Sequence, residues 1–228
     1  MKRILYLVIC ICLLSSCDTA EATEEDFVRQ MRSLSPTQSP LYVQVEDMND
    51  MIATTKTNCI IQCTLDSRDT SIVFDPFTGY KTEDLFAQDN TEEEKRVVSN
   101  YISTPYQITV QDVYLGDYFE KGDVFTFYAP YGEIGEYHCK VSGHPILQVG
   151  KTYLLFLRAD KINGEFVYYL SYPPEGALEM RNDDMREDGV RAYDATVIEE
   201  LKQNVERYSY DTSYDIVVTN ETVRERKY

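Results

Sequence analysis

The chain has no tryptophan, two histidines, ten glycines and eight prolines among its 228 residues. So little glycine and proline excludes collagen-like and low-complexity disordered chains. Basic residues are also scarce, 22 against 39 acidic ones, giving a formal net charge of −17. Without clustered cations to meet phosphates, nucleic-acid binding is excluded. The same charge repels the body from an anionic membrane surface unless something tethers it. No apolar run reaches the roughly 20 residues that a relaxed bilayer crossing needs. A Gly-rich phosphate loop, HExxH and GxSxG are likewise missing. What remains is 43% hydrophobic and rich in tyrosine, with 19 of them. The length suits one domain with appendages and a real core.

The N-terminus carries the strongest signal. Lys2 and Arg3 precede the apolar run Ile4 to Leu14, the layout of a signal peptide. The run ends in Leu14-Ser15-Ser16-Cys17, which resembles the bacterial lipobox. That resemblance implies a lipoprotein signal peptide over 1–16, diacylglyceration of the Cys17 thiol and cleavage before it. The mature chain would then hold 212 residues, and loss of Lys2 and Arg3 takes the net charge from −17 to −19. Acyl chains on Cys17 would hold the protein on the extracytoplasmic face of the cell membrane without a spanning helix. Asp18 resembles the inner-membrane retention signal of enteric bacteria.

Residues 17–40 read as a lipid-anchored leash with one short helix. Thr23-Glu24-Glu25-Asp26 matches a capping box, and Phe27, Met31 and Leu34 follow at i, i+4, i+7 before Pro36. The stripe is expected to pack on the domain. Helical spacing recurs at Met48, Met51, Ile52 and Thr55. Cys59 to Leu65 is an apolar run of strand length, with Ser71 to Phe74 as its expected partner. Asp75 to Asn90 reads as a loop, and Thr91 to Glu94 as a second capping box.

Strand signals dominate the middle of the chain. Tyr106, Ile108 and Val110 alternate, then the phase slips to Val113 and Leu115, which predicts a bulge after Val110. Val124 to Tyr128 predicts a strand buried on both faces, and Tyr137 to Val141 a strand inside the loop 130–145. Thr152 to Leu157 is the most hydrophobic run of the mature chain, and Asn163-Gly164 signals a type I′ hairpin returning through Phe166 to Tyr172. Ile198, Leu201, Val205 and Tyr208 predict a C-terminal helix, and Ile216 to Thr219 a short strand. The expected core includes Ile60, Ile61, Ile108, Val110, Val124, Phe127, Leu154 and Phe156.

These elements predict a mainly β (α+β) fold: a small closed or partly open antiparallel β-barrel over 41–181 with peripheral short helices. An acidic connection, a C-terminal helix and a tail would occupy 182–228. The segments Val110 to Asp117, Lys121-Gly122-Asp123 and Val149 to Leu157 resemble uncharacterised Gram-positive-type lipoproteins with an OB-related, TIMP- or netrin-like barrel. The likeness covers roughly 45–180 and rests on turn glycines and strand hydrophobics, so it implies a fold and no activity.

Candidate chemistry is sparse, and neither a catalytic residue nor a cofactor is expected. His138 and Cys139 are neighbours in an expected strand, so they point to opposite faces and form no nucleophile–base pair. His138, Cys139 and His144 match no standard zinc spacing. Asp183, Asp184, Glu187, Asp188 and Gly189 fail the EF-hand spacing and read as a solvated acidic loop. Tyr128, Tyr131 and Tyr137 are the candidates for stacking on a sugar or partner side chain at a barrel mouth; half-buried strand tyrosine is the plainer reading. Cys59 and Cys63 lie four apart in a strand, about 13 Å, too far to bond. Either Cys139 bridges one of them, Cys63 in preference, or all three stay reduced and buried.

The sequence thus points to a membrane-anchored binding or interaction module for an unknown protein or glycan. The alternatives are an envelope hydrolase or a protease inhibitor with no identifiable motif. In TIMP-type inhibitors a free N-terminal cysteine chelates the protease zinc, which a lipidated Cys17 does not permit.

Overall fold

The computed structural model describes residues 23–37, 52, 56–82, 91–172, 176–180, 191–193, 199, 201–203 and 215–216. The segment expected to be a signal peptide, Cys17, the acidic cluster at 183–189 and most of both helices expected near Ile52 and Leu201 lie outside them.

The first helix forms where its cap predicts. In α1 (Glu24–Ser33) the Asp26 amide donates to the Thr23 hydroxyl and the Thr23 amide to Asp26, each at 3.2 Å. Phe27, Val28 and Met31 enter the main core, so α1 is part of the folded body, as the expected packing of its stripe required. Two side chains from the strands fasten it. Arg68 lies 3.6 Å over the Phe27 ring and bonds Glu24 at 2.9 Å. At the other end the Lys140 ammonium donates to the carbonyls of Arg32 and Leu34, both at 2.9 Å, where a helix C-terminus welcomes a cation. The second capping box opens α2 (Glu92–Val98), followed by a 3-10 turn over Ser99–Tyr101.

The strands are β1 (Cys59–Arg68), β2 (Ile72–Asp75), β3 (Tyr80–Thr82), β4 (Ile102–Leu115), β5 (Val124–Ala129), β6 (Tyr131–Ile134), β7 (Tyr137–Lys140), β8 (Thr152–Ile162), β9 (Glu165–Leu170), β10 (Ala177–Met180), β11 (Arg191–Tyr193) and β12 (Asp215–Ile216). Ten form one mostly antiparallel sheet, and β6–β7 forms a separate hairpin. The fold is β-rich α+β, as expected.

At the centre β1 pairs with β4 on one side and β8 on the other. The expected phase slip is present: Gln62 pairs with Asp112 and Cys63 with Val110, leaving Gln111 as the extra residue. The Gln111 side chain is held by Gln62 at 2.8 Å and by Thr64. The β8–β9 hairpin turns on Asn163 and Gly164 at φ 51° and 86°, the left-handed pair a type I′ turn requires.

β1 and β8 are buried on both faces. Cys59, Ile61, Cys63 and Leu65 meet Tyr106, Ile108, Phe127, Tyr153, Leu155 and Leu157 in the main core. On the opposite face Ile60, Leu154 and Phe156 pack with Ile52, Tyr172, Leu178 and Leu201. The expected core residues therefore divide between two layers. Val124 belongs to neither: it is 55% exposed at the start of β5, where Thr126 is exposed too and only Phe127 and Ala129 are buried.

Three further expectations are corrected. Residues 71–74 do not pair with β1; β2 lies beyond the end of β1 along the same edge of β4, pairing Ile72 with Ser103. The loop expected over 75–90 contains β3, a three-residue strand turned back on β2, and the 130–145 loop contains β6. The sheet is not closed by hydrogen bonds: β5 and β9 lie side by side without a ladder between them among the described residues.

Candidate functional site

The open seam between β5 and β9 is filled differently on its two sides. On the core side Phe119 stacks on Phe125 at 4.0 Å, and Tyr168 lies 4.6 and 5.1 Å from those two rings. Alternation turns Tyr128 and Tyr169 to the other side. There the β2–β3 hairpin crosses the seam: Phe74 stacks on Tyr128 at 4.1 Å, and Phe77 meets Tyr169 edge-on at 6.1 Å. Between them lies a cleft of about 580 Å³, within the range of small-ligand sites.

The cleft is walled by aromatic rings (Phe74, Phe77, Tyr101, Tyr128, Tyr169) and has one charged lining residue among the described residues, Arg158. The Arg158 Nε donates to both oxygens of Asp160 at 2.9 and 3.0 Å. Its two terminal nitrogens have no hydrogen-bond partner among the described residues. The Tyr169 hydroxyl also donates to Asp160, at 2.6 Å. Burial and that bond push the Tyr169 phenol up, so it stays neutral at physiological pH. Lys81 lies 4.9 Å from the Tyr128 ring centre, and Phe77 stays 55% exposed at the hairpin turn.

The three candidate tyrosines separate. Tyr128 lines the cleft. Tyr137 is half-buried on β7 and donates to Glu92 at 2.6 Å. Tyr131 is fully buried, which removes it from any binding surface. Its hydroxyl meets that of Tyr106 at 2.8 Å and accepts from the Leu147 amide at 2.9 Å, tying β6 to β4 and to the segment before β8. Tyr153 is fully buried and its hydroxyl accepts from the Gln148 amide.

The cysteines are three free, buried thiols, and the Cys63–Cys139 bridge is not formed. Cys63 belongs to the main core, whereas Cys139 packs with Val73 and Ile102 in a separate cluster. Burial pushes the thiols of Cys59 and Cys139 up to about 12 and about 11, and Cys63 is raised for the same reason. Such thiols are inert small apolar groups rather than nucleophiles. No group of three potential metal ligands occurs among the described residues.

His144 lies in the segment between β7 and β8. It is buried, its Nδ1 donates to the Pro145 carbonyl at 2.6 Å, and its Nε2 has no partner among the described residues. Burial lowers its pKa to about 4. The unfolded chain, with an ordinary histidine, therefore binds the extra proton between about pH 6.5 and 4, and stability falls as pH drops through that window, by about 3 kcal/mol at most. His144→Phe is expected to flatten this slope; urea titrations at pH 7, 5.5 and 4.5 measure it, and an unchanged slope refutes the assignment.

Sequence reasoning found Tyr128 but missed Phe74, Phe77, Arg158 and Tyr169. Phe74 and Tyr169 carry only the weak signal of an aromatic residue in a strand, while Phe77 in the β2–β3 turn and the single cation Arg158 carry none. No family model and no curated protein matches the chain.

Proposed function

We propose that the protein is a lipid-anchored binding module of the bacterial envelope, tethered through Cys17 on the extracytoplasmic face of the cell membrane, with the seam cleft as its ligand site. The cleft carries the reading: stacked aromatic walls and a few polar groups within one concavity are the form of a ligand site. We read the sheet as a partly open OB- or TIMP-like barrel of strands β5–β4–β1–β8–β9, an unzipped seam being where such a fold leaves room for a ligand. The docking of α1 supports close tethering. Cys17 lies six residues before Thr23, so a fully extended leash spans at most about 20 Å. Among the described residues no helix is long and apolar enough to cross a membrane.

One preparation tests both halves. Cys17→Ala is expected to stay at precursor size and leave the lipid-modified membrane fraction, and wild-type behaviour of that variant refutes the anchor. Solvent extraction of the purified full chain is expected to release a bound small molecule that Tyr128→Ala releases in smaller amount. Equal recovery from both refutes the cleft.

A further inference from the structure

We propose that the seam cleft takes a small ligand with a flat apolar body and a single carboxylate, the carboxylate held by the terminal nitrogens of Arg158. The inference rests on the reading of the cleft as a ligand site and adds the chemistry of the ligand.

The walls set the body. Phe74 stacked on Tyr128 and Phe77 against Tyr169 offer ring faces and edges on both sides of the seam, which favours a flat apolar group between them. The floor sets the head. Arg158 is the one charged residue lining the cleft, and no carboxylate lines it among the described residues, so a cationic ligand meets repulsion without a partner.

A wholly apolar ligand fares no better. It would strip water from the two terminal nitrogens of a half-buried guanidinium and put nothing in its place. An oxyanion replaces that water with charge-assisted bonds in the fork geometry that arginine presents. The charge count favours a monoanion. Asp160 already bonds the Nε and fixes the plane of the guanidinium, leaving one shared cation for the ligand. A dianionic phosphate calls for more donors than one such group. Lys81, over the Tyr128 ring, does not line the cleft and adds only longer-range attraction for an anion, not a second bonding partner.

Three probes with one ring system isolate the head group: 2-naphthoate, 2-naphthalenemethanol and 2-naphthylmethylammonium. They are titrated into the full chain held in lipid nanodiscs, with empty nanodiscs correcting for partition and saturation-transfer NMR reporting contact. The naphthoate is expected to bind about 10–100-fold more tightly than the alcohol, as charge-assisted bonding implies. Arg158→Met is expected to erase that preference, and a cooperative urea transition shows that the variant is folded. Arg158→Lys should keep only part of it, having charge without the fork. Equal or tighter binding of the alcohol or the ammonium, or an anion preference that survives in Arg158→Met, overturns the proposal. If those probes bind saturably and Tyr128→Ala weakens them, the cleft stands as a ligand site and only the carboxylate assignment falls. An absence of saturable naphthoate binding to the folded wild-type chain also overturns it.

Discussion

Truncating Phe156 to alanine is expected to cost about 3–5 kcal/mol, the range for a buried phenylalanine whose site cannot fully collapse. Phe156 is fully buried on the face of β8 opposite the main core, against Ile60, Leu154, Tyr172, Leu178 and Leu201. Its backbone is occupied as well: the amide donates to the Gly176 carbonyl at 2.8 Å, and the carbonyl accepts from the Ser171 amide at 3.0 Å. The neighbours therefore cannot slide in to fill the void. Urea unfolding of the full chain gives the loss. A value below about 1 kcal/mol would mean that this second layer is not packed in solution, leaving a one-layered sheet with its outer face wet.

The second large effect is expected at Asn58, just before β1. Its amide group stands in for a strand residue: Oδ1 accepts from the Ala159 amide at 2.7 Å and Nδ2 donates to the Ala159 carbonyl at 3.0 Å. The side chain thereby extends the β1–β8 ladder past Leu157, where the Asn58 main-chain amide makes its own bond to the Leu157 carbonyl. Ala159 is fully buried, so no water takes over these bonds. Asn58→Leu keeps the volume and leaves two buried backbone groups unpaired, a loss of about 2–4 kcal/mol. Asn58→Asp is expected to fall between, since it keeps the acceptor for the Ala159 amide but sets a carboxylate oxygen against the carbonyl. Amide hydrogen exchange at Ala159 is the direct readout. Protection unchanged in Asn58→Leu would show that the ladder holds without this side chain.

Much of the fold was legible because local rules governed it. Both capping boxes act through hydrogen bonds that span three residues, so Thr23 with Asp26 and Thr91 with Glu94 announce α1 and α2 directly. The bulge at Gln111 was visible because a one-residue slip reverses the facing of every later side chain. Asn163-Gly164 announced its hairpin through the positive φ that both positions need. The short strands β3 and β6 escaped notice because three or four residues carry too little alternation to register. Val124 misled for the opposite reason: alternation shows which residues share a face, not which face is covered.

The sequence by itself determined a β-rich chain with two short capped helices, a reversed phase at Gln111 and a lipobox-like segment ending at Cys17. Those features depend on residues within a turn, a strand or a cap of one another. The tertiary structure alone decided that the sheet stays open between β5 and β9 and that the β2–β3 hairpin crosses the seam. It alone buried Tyr131 while leaving Tyr128 in the cleft, and it alone kept Cys63 and Cys139 in different clusters. The cleft gathers Phe74 from β2 and the facing pair Arg158 and Tyr169 from the β8–β9 hairpin, residues with no site signal in their own stretches of chain. Site chemistry of this kind depends on which outward faces meet, and that is set by the order of the strands, which no local pattern encodes.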